Sequence, residues 1–90
     1  MRFEWNASRA ATNLRKHRVS FHEAASVFFD PRSATGEDPD QAIEEERFVT
    51  FGMSSAGRLL VVVHVDRDDA VRIISARKAT RSERQLYEKD

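Results

Sequence analysis

Two groups of cations carry the chemistry that this chain could perform. Arg9, Arg15, Lys16 and Arg18 gather near its start, and Arg72, Arg77, Lys78, Arg81 and Arg84 near its end. Guanidinium and ammonium groups that share a surface attract phosphate, and arginine can grip phosphate oxygens in pairs. Arg77 and Lys78 stand just before Thr80-Arg81-Ser82-Glu83, whose spacing is that of a helix-starting capping box. Backbone amides at a helix start and cations at a strand end can therefore converge there on an anion. The same residues would serve equally as exposed charges at a strand-helix junction, and charge patterning leaves both readings open.

Proton transfer near neutral pH is the business of imidazole, and the chain has three histidines. His64 ends the apolar run Leu59-Leu60-Val61-Val62-Val63, on the side of Leu60 and Val62, where it is either a general acid or base or a partly buried structural residue. Lys16 and His17 close the first helix, where positive charge compensates the helix dipole. His22 falls at a helix start with no evident role. None of the three stands at zinc-ligand spacing, so no metal site is expected. Glu83 and Tyr87, four apart, share one face of the last helix; Glu83 has a capping role to fill and Tyr87 a sheet to pack on. Trp5 and the phenylalanines suit a core better than an RNA-stacking platform, because few aromatics alternate with basic residues.

These residues must be positioned by short elements. Phe3-Glu4-Trp5 reads as a brief strand, and Asn6 caps a helix to about His17 with Ala10, Ala11 and Leu14 facing inward. Ser20-Phe21-His22-Glu23 is a second capping box, with Ser20 accepting from the Glu23 amide and the Glu23 carboxylate returning to the Ser20 amide. Phe21, Ala24, Ala25 and Phe28 make its buried stripe, and Pro31 marks that this helix has ended. The polar, acidic stretch from Arg32 to Glu46 reads as surface, with a weak edge strand near 33–35. Strands over 47–53, 59–65 and 71–77, joined by short loops, form an antiparallel meander whose apolar middle strand is central. Successive strand residues point to opposite faces, so in the last strand Arg72, Ile74 and Ala76 share one face and Val71, Ile73, Ser75 and Arg77 the other, and the two arginines need not point together.

The fold class expected is α+β: two N-terminal helices packed on an antiparallel sheet, then a short C-terminal helix. Ninety residues make a single domain, 1–90, without internal repeats or a linker. The 40% hydrophobic and 33% charged composition favours a compact domain over a disordered tail. With no cysteine, stability must come from packing or from a partner. The 15 basic residues balance 15 acidic ones, so any nucleic-acid surface must arise from segregation of charge rather than from excess. No apolar run is long enough to span a bilayer and no signal-peptide core follows Met1, which points to the cytoplasm and to no membrane partner.

Several stretches together resemble the BrnT family of toxins: Phe3-Glu4-Trp5, Asn13-Leu14-Arg15-Lys16-His17, Val19-Ser20-Phe21-His22-Glu23-Ala24 with Phe28 and Asp30, and above all Arg72-Ile73-Ile74-Ser75-Ala76-Arg77-Lys78-Ala79 with Glu83 and Tyr87. The chain departs from that pattern at Asn6-Ala7, where the family usually has Asp-Pro, at Arg9, where it has Lys, and at Arg18, where Gly is common. The resemblance implies a RelE-like fold and a ribonuclease toxin of a type II toxin-antitoxin system. It would cleave RNA, restrain translation, and be neutralised by a BrnA-like ribbon-helix-helix antitoxin, reaching operator DNA only through that complex. It implies a metal-independent endoribonuclease of the mRNA interferase type that needs no cofactor. Such a cut uses the RNA 2′-hydroxyl as nucleophile and needs a base, an acid and cations for the developing charge. On this reading Arg72 and Arg77 stabilise charge, His64 or Glu83 moves protons, and Lys16, His17, Lys78, Arg81 and Tyr87 bind RNA. The competing reading is a non-catalytic module that binds RNA or a DNA-binding partner through the same basic face. Direct operator binding by this chain alone is disfavoured, since no helix-turn-helix with a basic recognition helix is evident.

Overall fold

The computed structural model describes residues 1–39 and 46–89, so part of the acidic stretch, at 40–45, lies outside the described residues. The elements in chain order are β1 (Arg2–Glu4), α1 (Ala7–His17), α2 (Phe21–Ser26) continued by a single 3-10 turn (Val27–Phe29), β2 (Ala34–Glu37), β3 (Phe48–Met53), β4 (Leu59–Arg67), β5 (Ala70–Lys78) and α3 (Arg81–Glu88). They form one sheet in the order β1-β5-β4-β3-β2, with β4 central as its apolar sequence requires. β2 to β5 make the expected antiparallel meander. β1 lies parallel to β5, so the sheet is mixed rather than purely antiparallel. Three residues carry no signal for their partner strand, and a parallel neighbour needs the long crossover that the helices and the meander here provide.

Phe21, Ala24 and Val27 of the α2 segment meet Leu60, Val62, Ile73 and Ala76 of the sheet in the main core. Ser20 accepts from the Glu23 amide at 3.0 Å. The return arm of that box is diverted: the Glu23 carboxylate instead takes two N–H groups of Arg58 and the Ser54 hydroxyl. A bidentate charged pair outcompetes one exposed amide, and it holds the Glu23 carboxyl below its ordinary range.

The inner face of α1 differs from expectation. Ala11 and Leu14 are exposed, and Asn13 is buried instead. Its carboxamide donates to the carbonyls of Val19 (2.9 Å) and Ala76 (2.8 Å) and accepts from the Ala76 amide (3.0 Å). β1 covers the outer edge of β5 only as far as Arg72, and Asn13 stands in as strand partner beyond it. At the C-cap Arg18 adopts φ 59°, the left-handed conformation that glycine takes without cost, at an expense of ~1–2 kcal/mol.

Strand β5 carries a bulge. Val63 pairs with Ser75 and His64 with Ile73, which leaves Ile74 without a partner on β4. The alternation of β5 therefore reverses at Ile74. Arg72 lies opposite Val65 and Arg77 opposite Val61, two residues on one face of the uninterrupted β4. Contrary to the unbroken pattern, both arginines belong to the face turned away from the helices.

Candidate active site

That face bears a groove of about 680 Å³ floored by Val61, Val63 and Ser75. β2 forms one wall, His17 from the end of α1 another, and Arg77 and Glu83 stand together at its rim. Arg77 Nη1 and Nη2 donate to Glu83 Oε1 and Oε2 at 2.8 and 2.9 Å, a fork-to-fork pair. Glu83 Oε1 also accepts from the Thr80 amide, while Thr80 Oγ1 accepts from the Glu83 amide, so the second capping box is complete. The box fixes the carboxylate, and the carboxylate fixes the guanidinium. The Arg77 contact is the largest influence holding the Glu83 carboxyl down at about 2, and Glu83 in turn raises Arg77. The Arg77 side chain remains 42% exposed, and its fork has more N–H donors than these contacts and one to the Lys78 carbonyl use.

The other candidates are distributed unevenly. Arg72 shares the face of Arg77, but their partners stand four positions apart on β4, about 13 Å along the strand, and Arg72 is paired with Glu4 at 3.5 Å. His64 lies where the sequence places it, beside Leu60 and Val62, but that face is the one covered by the helices. It is 2% exposed, with Nε2 at 2.7 Å from Thr50 Oγ1 and Nδ1 at 2.9 Å from Asp66, and its ring packs on Phe28 and Phe48. Burial pushes its pKa down against the opposing pull of Asp66. The sheet thus stands between His64 and Arg77.

His17 reaches the groove of Arg77, whereas Lys16 lines a smaller adjoining groove along α1. Lys78 and Arg81 are exposed at the junction of β5 and α3. Tyr87 anchors the far end of α3: its hydroxyl donates to Asp30, its ring stacks on Phe51 at 6.0 Å, and Arg32 sits over it. Glu83 and Tyr87 share a helix face as expected, and both use it to hold α3 to the sheet. Asn13 and Asp30 entered the sequence reading only as residues that carry the family resemblance, with no role assigned to either. Asp30 binds the Tyr87 hydroxyl and the amides of Arg32 and Met53. Its local signal was Asp-Pro-Arg, since an aspartate that accepts from the amide two residues on makes an Asx-turn.

A small α+β domain that covers one sheet face with helices and sets a carboxylate-clamped arginine beside His17 on the other has N–H donors that suit phosphate oxygens. A family model described as "Ribonuclease toxin, BrnT, of type II toxin-antitoxin system" matches residues 5–83. The chain belongs to that family and is a ribonuclease toxin with an antitoxin as its partner. Among solved structures, the ribonuclease toxin BrnT of Brucella abortus is similar in fold, with a TM-score of 0.66 and 20% identity over 90% of this chain and 99% of that one. The comparison with curated proteins gave no match. Among the described residues no helix is long and apolar enough to cross a membrane.

Proposed function

We propose that the protein is a metal-independent endoribonuclease of the mRNA interferase type and that it cuts RNA in the groove beside Arg77. The observation that carries this reading is the pre-aimed guanidinium: Arg77 is held at both nitrogens by Glu83 yet open to the groove. The RNA 2′-hydroxyl attacks the adjacent phosphorus, its proton leaves to a base, and the 5′-oxygen departs with a proton from an acid. Arg77 faces the charge that builds on the phosphorane oxygens, where a fixed donor contributes most. Glu83, ionised through this range, positions Arg77 rather than supplying a proton. His17 is the imidazole that lines the same groove, and we assign it the proton transfer. Lys16, Lys78 and Arg81 hold the RNA backbone, and Arg72 adds to the potential of that face.

The family supports a BrnA-like ribbon-helix-helix antitoxin, operator binding only through the complex, and action in the cytoplasm, where the RNA is. Arg77→Ala tests the central claim. Cleavage of purified RNA should fall by ~100-fold or more, with the circular dichroism spectrum and antitoxin binding unchanged. Cleavage at the wild-type rate would remove Arg77 from the site. Wild-type protein that shifts RNA and leaves it whole would favour the non-catalytic module, and loss of cleavage on adding a chelator would refute metal independence.

A further inference from the structure

We infer that the polar groove along α1, formed by Ser8, Arg9, Thr12 and Lys16, is a second seat for phosphates of single-stranded RNA, taking up the strand where it leaves the groove of Arg77. The inference rests on that ribonuclease reading and extends it to the path of the RNA.

Continuity is the first observation. His17 and Ser75 line both the Arg77 groove and the α1 groove, a cleft of about 370 Å³, so a chain leaving one passes directly into the other. Charge is the second. α1 contains no carboxylate at any position from Ala7 to His17. Arg58, Arg72 and Arg77 are each clamped by a glutamate, whereas among the described residues no carboxylate forms an ion pair with Arg9 or Lys16. Cations without a counter-charge keep their full attraction for phosphate.

Geometry is the third. Positions 9, 12 and 16 follow the three- and four-residue steps of one helix face. Arg9 and Lys16 are separated by about 10.5 Å of helix rise, far enough apart to meet different phosphates of one strand. Thr12, to which Arg15 donates at 3.3 Å, and Ser8 add hydroxyls between the cations. On this same face Asn13 ties α1 to the backbone of Ala76, next to Arg77, so the two grooves keep a fixed relation. The cleft lacks the aromatic anchor typical of protein interfaces; its apolar floor is Ile74, itself buried.

The test measures binding of a 2′-O-methyl RNA, which cannot cleave itself, to the full chain over a range of salt. Replacing both cations, as Arg9→Gln with Lys16→Gln, should weaken binding equally for A-rich and U-rich strands. It should also flatten the log–log salt slope by about 1.4, two contacts at about 0.7 each. Both side chains are exposed, so the fold is not at stake. An unchanged slope, with Arg77→Ala flattening it by about 0.7, overturns the inference and leaves the ribonuclease reading standing. The opposite pattern, in which only the α1 pair matters, sinks the Arg77 reading and overturns the inference as well, since no strand would then leave that groove. RNA affinity untouched by Arg9→Glu with Lys16→Glu, together with loss of antitoxin binding, overturns the inference and gives this face to the protein partner.

Discussion

Glu83→Gln isolates the charge that clamps Arg77, because a glutamine oxygen can still reach the Thr80 amide and keep the capping box. A carboxyl taken from 4.5 to about 2 corresponds to at most ~3.4 kcal/mol of favourable interaction. The Glu83 and Arg77 side chains are 28% and 42% exposed, so solvent screening brings the expected contribution to about 1–1.5 kcal/mol. Because the folded pKa lies below the unfolded one, the unfolded chain binds more protons as the solution is acidified. The stabilisation is therefore complete above the unfolded value of 4.5 and is lost as pH falls through about 2. Urea unfolding of the wild type and the variant should differ by about 1–1.5 kcal/mol at neutral pH, and the difference should close toward about pH 2. The lowered carboxyls of Glu23 and Asp30 are common to both proteins and cancel in the comparison. A difference that stays constant across this range, or is absent at neutral pH, would refute the argument. RNA cleavage by the variant should lose kcat more than KM, as expected if Glu83 aims Arg77 rather than binding substrate.

Two further substitutions probe the frame around the site. Asn13→Ala should cost about 2–4 kcal/mol in urea unfolding, since it leaves the Ala76 amide and two carbonyls without their partner; a cost below about 0.5 kcal/mol would show that the edge of β5 is satisfied otherwise. Gly52→Ala should lower the thermal midpoint, at about 1–3 kcal/mol, because a Cβ there would lie 2.9 Å from Ser33 Cβ and 3.0 Å from Val27 Cγ1. A midpoint equal to the wild type would mean that the turn after α2 yields freely.

Much of the frame could be read locally. Asn6, Ser20 and Thr80 each mark a helix start with a side-chain oxygen, and the run from Leu59 to Val63 marks the central strand. What escaped reading depends on partners distant in sequence. Nothing near Glu23 announces Arg58, thirty-five residues on, so the return arm of its box was expected at home. Nothing near Asn13 announces the open edge at Ala76, so apolarity suggested Leu14 as the buried residue. Arg77 and Glu83 were legible as site candidates because a capping box and a strand end adjoin in sequence. His64 was placed on the correct side of its strand, but which side the helices would cover is a property of the whole sheet. Alternation likewise could not foresee Ile74, because an extra residue in an apolar strand leaves the composition unchanged.

That extra residue lets one strand serve two masters. Up to Ile73 the odd-numbered side chains of β5 feed the oily interior, and from Ser75 onward the even-numbered ones do, so the count of residues is as decisive as their kinds. Excising Ile74 would leave Ala76 and Arg77 on the faces they hold now, whereas drawing Ile74 into the ladder without a bulge would exchange their places, driving a guanidinium toward Leu60 and Val62 and showing a methyl group to the RNA. A toxin whose last strand kept its length but lost the bulge would hold every side chain of its proposed active site and have those beyond Ile74 facing the wrong way.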